Sequence, residues 1–258
     1  MRDRDAAAGS HDVDDRRRPA PSHRPGRWSH RLGAEALGTF ALVFVAAGAD
    51  TFSVISQGEV TPLARAVAPG LLVGAMIYAI SDASGAHFNP VVTLAFALKR
   101  LVPPSWLPAY WGAQLVGALA AAALLRVLFG DAAAAGVSAS HHGVGPVTTV
   151  VIEAVLTWLL LTVILGTADR ARVVGSDAAL AVGATIALCG LIALPIEGAS
   201  MNPARSLGPA IVEGRLDGTW PYLLGPVCGA ILALGSTRLV HGVHDSPASS
   251  EAARGDGG

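Results

Sequence analysis

Two Asn-Pro pairs stand in this chain where a turn signal is out of place. Asn89-Pro90 lies in SGAHFNPVVTLAFAL, residues 84–98, and Asn202-Pro203 lies in EGASMNPARSLGPAI, residues 197–211. Both runs are largely apolar, whereas Asn-Pro ordinarily marks a turn. Asn is a strong helix N-cap, and Pro suits the first helical position because its missing N–H would have no partner there. Each pair therefore reads as the start of a helix. The stretches before them, Gly85-Ala86-His87 and Gly198-Ala199-Ser200, read as irregular backbone whose carbonyls can form a ladder of acceptors. A helix N-terminus carries roughly half a positive charge. Two of them facing each other repel cations, protons on a water file included. Asn amides and carbonyls then suit a guest that is small, uncharged, and both donor and acceptor. Water, small polyols, urea and neutral metalloid hydroxides fit.

The elements that must hold these groups are apolar. The chain has 258 residues, 52% hydrophobic and 14% charged, against roughly 25% charged in an ordinary soluble domain. Charge gathers at the ends: residues 1–31 hold eight Arg and five Asp, and residues 245–258 hold Asp245, Glu251, Arg254 and Asp256. Both ends read as disordered tails, 1–31 and 245–258. The body, 32–244, contains six stretches of the length a membrane helix needs. They are Leu32–Phe52, Leu63–Ala83, Leu107–Phe129, Val147–Ala168, Asp177–Ile196 and Thr219–Val240. Two further apolar pieces, Pro90–Leu98 and Pro203–Val212, are too short to span, and each begins at an Asn-Pro pair. With the amino terminus inside, 14 Lys and Arg fall on the inner side and 4 on the outer (Arg65, Arg126, Arg205 and Arg215). Both termini are therefore predicted to be cytoplasmic, in a multi-pass protein of the cell membrane. The net charge of −1 gives no sign of nucleic-acid binding.

The body repeats itself. AEALGTFALVFVAAG at 34–48 matches IEAVLTWLLLTVILG at 152–166, pairing Glu35 with Glu153, Thr39 with Thr157 and Gly48 with Gly166. SGAHFNP then matches EGASMNP. The unit is three spans plus one half-helix, used twice, as repeat one (32–129) and repeat two (147–240). Three is odd, so the second copy enters the membrane inverted. Inverted repeats with short helices at their interface indicate a pathway near the midplane. The expected fold class is an all-α membrane protein of six transmembrane helices and two re-entrant half-helices in an inverted 3+3 repeat.

AEALGTF, SGAHFNPVVTLAFAL, GASMNPARSLGPA and WPYLLGP, in that order, resemble the major intrinsic proteins, the aquaporins and glycerol facilitators. The likeness covers Leu32–Val240, and its motifs are most similar to the plant nodulin-like intrinsic proteins. The resemblance implies a right-handed six-helix bundle, one pore per protomer and a homotetramer in the lipid bilayer. It places Asn89, Pro90, Val91, Asn202, Pro203 and Ala204 at the pore midplane. Val91 departs from the Ala usual in the first motif. Counting from the motifs, the resemblance carries four constriction positions onto Pro69, Gly190, Ala199 and Arg205. Strict water channels tend to have Phe, His and a small residue with the Arg, so this constriction is expected to be wider. Ser206, Ala210 and Tyr222 lean toward the water-channel side. The implied function is a passive channel for water and small uncharged solutes such as glycerol, urea or metalloid hydroxides, excluding ions and protons. A strict water channel is the alternative.

Other residues take their readings from burial and charge. Arg205, at membrane depth, is a donor and a positive barrier. Glu35 and Glu153 sit early in spans one and four, where a buried carboxylate needs hydrogen-bond partners; they are expected to accept from N–H groups of the inner and outer re-entrant loops. His87 is either a pH gate or a loop histidine in a structural hydrogen bond. His141-His142 read as a solvated loop, without the further ligands of a metal site. Asp50, Asp82 and Asp169 read as capping span ends and facing water, and Cys189 and Cys228 as small buried side chains. No cofactor is expected. No Gly-x-Ser-x-Gly motif and no mid-span Asp supports an enzyme. An ion-coupled secondary transporter shares inverted repeats and broken helices, but usually has a titratable group at the midplane, where this chain offers Asn89 and Asn202.

Overall fold

The computed structural model describes residues 28–168, 176–242 and 247–256. In chain order the helices are α1 (Trp28–Ile55), α2 (Pro62–Ser84), the short α3 (Pro90–Leu98), α4 (Leu107–Phe129), α5 (Pro146–Ala168), α6 (Ser176–Glu197), the short α7 (Pro203–Val212), α8 (Pro221–His241) and α9 (Pro247–Arg254). No strand occurs among the described residues. Six of these helices are long and apolar enough to cross a membrane. At 9 and 10 residues, α3 and α7 reach about 14 Å, roughly half of a hydrocarbon core.

The packing repeats as the sequence does. α1 lies on α4 as α5 lies on α8, and α1 on α2 as α5 on α6. α4 meets α7 as α8 meets α3, while α2·α6 and α3·α7 contacts join the halves. The α2·α6 crossing is tight because it is made at Gly70 and Gly183. A Cβ on Gly70 would lie 2.4 Å from the Gly183 carbonyl oxygen, so only glycine allows this approach. α1 begins and α9 lies at one face of the bundle, the terminal face. The loop before α3 enters from that face and the loop before α7 from the far face.

The polarity is that of a membrane protein. Leu71, Val127, Leu180 and Leu239 are exposed on the outside, while Glu35, Gln114, Glu153 and Arg205 are buried within. In hydrocarbon the apolar surface costs nothing, and polar groups gather where they find one another.

The ends differ from expectation. Residues 1–27 of the predicted first tail, with Asp169, lie outside the described residues. The rest of that tail opens α1, with Arg31 buried. In the predicted second tail, Pro247–Arg254 is helical and packs against α2 and α5. Arg31 donates to the carbonyl of Arg254 and, at 2.6 Å, to Oδ1 of Asp256, and its guanidinium stacks 4.8 Å over Trp106. A reading of composition sees a polar segment here. Docking is made instead by backbone groups and alanines, Ala253 being fully buried.

Candidate transmembrane pore

The two re-entrant loops share one backbone pattern. Gly85, Ala86 and Phe88 have φ of 86°, 51° and 48°; Gly198, Ala199 and Met201 have 91°, 44° and 52°. Left-handed backbone is costly for residues other than glycine, so both loops need support. Glu35 supports the first, accepting from the N–H groups of His87 (2.9 Å) and Phe88 (2.8 Å) and from Ser84 Oγ and Gln114 Nε2. Glu153 accepts from Ser200 N at 2.6 Å and Met201 N at 2.7 Å. Tyr110 donates to the carbonyl of Ser84, and Tyr222 donates to that of Glu197. Ser84 and Glu197 hold matching places before the loop glycines, and each accepts from the N–H two residues on, of Ala86 and Ala199. Reading residues singly missed Gln114, Tyr110 and Glu197. Aligning the third spans, Tyr110 to Gly117 with Tyr222 to Gly229, gives a signal for the tyrosines.

With N–H groups bound to side chains, the carbonyls turn elsewhere. Among the described residues no hydrogen bond ends on the carbonyl of Gly85, Ala86, His87, Gly198, Ala199 or Ser200. All six residues line the internal cavities. The loops meet through the asparagines. Asn89 Oδ1 accepts from Val91 N at 3.1 Å, capping α3, and Asn202 Oδ1 accepts from Ala204 N at 3.0 Å, capping α7. Each amide also donates across the midplane, Asn89 Nδ2 to the Met201 carbonyl and Asn202 Nδ2 to the Phe88 carbonyl, both at 2.8 Å. One amide hydrogen of each Asn is thereby taken, and one remains for the lumen.

The lumen has two parts. A chamber of ≈430 Å³ extends from Asn89 and Asn202 to the terminal face. Toward the far face lies a constriction of ≈40 Å³ lined by Pro69, Gly190, Ala199 and Arg205, about a tenth of the chamber's volume. Of the six Asn-Pro motif residues, the asparagines line the chamber. Val91 and Ala204 instead pack into the surrounding core, so the extra methyls of Val91 meet protein, not lumen. A Cβ on Gly190 would lie 2.9 Å from the Ala66 carbonyl oxygen, which leaves no free path for a larger side chain there. His87 uses both ring nitrogens: Nδ1 meets Thr93 Oγ1 at 3.0 Å and Nε2 meets the Ala253 carbonyl at 2.9 Å. A carbonyl only accepts, so Nε2 carries the proton.

Asp50 requires a correction. The sequence places it at a span end facing water, but the structure buries it. Its Oδ1 pairs with Arg65 at 2.7 Å and its Oδ2 with Arg205 at 3.3 Å. Arg205 also donates to the Gly136 carbonyl and to Ser138 Oγ. The partners are 15 and 155 residues away, so no local reading reaches them. Asp82 is exposed.

The major intrinsic protein family model matches residues 25–235. The chain belongs to the major intrinsic protein family. It is 47% identical over 205 residues to aquaporin NIP1-1 of Oryza sativa subsp. japonica, covering 78% of this chain and 70% of that one. It is 42% identical over 205 residues to nodulin-26 of Glycine max, covering 78% and 74%. Its fold is similar to the aquaglyceroporin from Plasmodium falciparum, with a TM-score of 0.71 and 22% identity over 83% of this chain and 97% of that one. Major intrinsic proteins are channels and not enzymes. This member is a multi-pass membrane protein and a passive channel for water and small neutral solutes.

Proposed function

We propose that this major intrinsic protein passes both water and small uncharged solutes, with glycerol, urea and metalloid hydroxides as the candidate classes. The observation that carries this reading is the constriction, where Pro69, Gly190 and Ala199 put little side chain opposite Arg205. The loop carbonyls, which accept no hydrogen bond among the described residues, replace solute hydration, and the remaining Asn89 and Asn202 hydrogens supply donors. Cations and protons meet Arg205 and the facing N-termini of α3 and α7. The terminal face is cytoplasmic in this reading, the membrane is the cell membrane, and four protomers associate, each with its own pore. The tails 1–31 and 245–258 flank one channel domain, 32–244.

Stopped-flow light scattering of proteoliposomes tests the reading. The expected result is rapid water flux together with glycerol and urea flux linear in the gradient. Water flux alone makes the protein a strict water channel. A saturable solute flux that needs an ion gradient makes it a coupled transporter.

A further inference from the structure

We propose that Arg65 is a selectivity-determining residue of the constriction and that Asp50 positions it together with Arg205. This rests on the pore reading above. Arg65 stands one turn before Pro69 on α2 and lines the same ≈40 Å³ space as Pro69, Gly190, Ala199 and Arg205. Its Nε and Nη2 both lie 2.7 Å from Asp50 Oδ1. Arg205 Nη2 takes the other oxygen. A single buried carboxylate is thus divided between two guanidinium groups. Two cations do not share so small a space without an anion between them. Asp50 supplies it from α1 and leaves this cluster of three with one net positive charge, so a barrier to cations persists. Arg65 also takes part of the wall of this small space. It therefore sets the upper size of a solute entering from the far face and offers it a donor.

The test is the glycerol-to-water permeability ratio in proteoliposomes. Arg65→Ala is expected to raise it at least threefold. Arg65→Lys keeps the charge but loses the planar fork, and is expected to fall between Arg65→Ala and the parent. Asp50→Asn removes the shared negative charge, although Arg205 keeps the Gly136 carbonyl and Ser138 Oγ, and is expected to lower water and glycerol flux together. Arg65 is partly exposed, so both of its variants are expected to fold. An unchanged ratio in Arg65→Ala, with Arg205→Val altering it, overturns the inference. Permeabilities unchanged in Arg205→Val as well overturn the pore assignment with it.

A separate observation lies at the terminal face, and from it we infer that α9 is a plug that partly obstructs the mouth of the chamber. Glu251, Ala252, Ala253 and Gly255 line the chamber beside Gly85 and His87. The segment is seated by close backbone contact: a Cβ on Gly255 would lie 2.7 Å from the Ser81 carbonyl oxygen, and one on Gly85 would lie 2.2 Å from that of Ala253. Its polar attachments include His87 to the Ala253 carbonyl, Arg31 to Arg254 and Asp256, and Arg254 Nε to the Leu101 carbonyl at 3.1 Å, while Ala253 is seated in the apolar core around Phe96 and Leu101. A helix of eight residues on the face of the bundle opens locally without unfolding it. A chain ending at His244 and the full chain with Gly255→Val both unseat it by different means. Each is expected to raise water permeability per protomer at least threefold. Permeability equal to that of the parent in both variants overturns the inference.

Discussion

Glu35→Ala is expected to abolish flux and to lower the melting temperature in detergent by roughly 10 °C or more. Four donors converge on this fully buried carboxylate. Two of them, His87 N and Phe88 N, belong to a loop whose left-handed residues keep it from forming regular structure. A buried donor left without its acceptor costs about 1–3 kcal/mol. Two backbone N–H groups with Ser84 Oγ and Gln114 Nε2 put the loss at roughly 4 kcal/mol or more, a large part of the 5–15 kcal/mol that holds a typical domain. Glu35→Gln keeps one acceptor but turns an NH2 group toward an N–H, so it is expected to fall between. Glu153→Ala acts in the same direction on Ser200 and Met201, with fewer donors stranded. Normal melting and normal flux in both alanine variants would show that the loops hold their shape without these carboxylates.

Arg205→Val is expected to raise proton and cation leak about tenfold while water flux continues. A unit charge about 5 Å from the axis, at an effective dielectric of about 20, opposes a cation by roughly 3 kcal/mol, or on the order of a hundredfold in rate. Asp50 lies 3.3 Å from this guanidinium and offsets part of its field, which brings the estimate to about tenfold. The N-termini of α3 and α7 remain and keep the leak from growing further. Valine fills less of the lumen than arginine, so the glycerol-to-water ratio rises in the same variant. The leak is read from a pH-sensitive dye sealed in proteoliposomes under a proton gradient. Leak unchanged from the parent would assign the cation barrier to the half-helices alone.

Much of the architecture is written locally. Six apolar runs of spanning length give six long helices, and α3, α4 and α7 begin and end at the residues the sequence indicates. Asn-Pro at 89–90 and 202–203 marks helix starts because cap and first-turn chemistry act within three residues. The repeat was visible because both halves keep the same words at the same offsets. Glu35 and Glu153 could be singled out as carboxylates too deep in apolar spans to stand alone. Their partners could not be named with equal detail. Gln114, for instance, lies 79 residues from Glu35 and looks like any polar residue in a helix.

The sequence by itself therefore determined the membrane class, the inverted repeat, the two capped half-helices and the resemblance that named the family. These depend on hydropathy, length and caps, which act over one helix or less. Tertiary structure alone decided three things. It set Asp50 between Arg65 and Arg205, turned Val91 into the core and not the lumen, and folded Pro247–Arg254 under the chamber. Each depends on groups distant in the chain meeting at one point. Burial, and with it the strength of a charge or a hydrogen bond, belongs to that meeting and not to the residue.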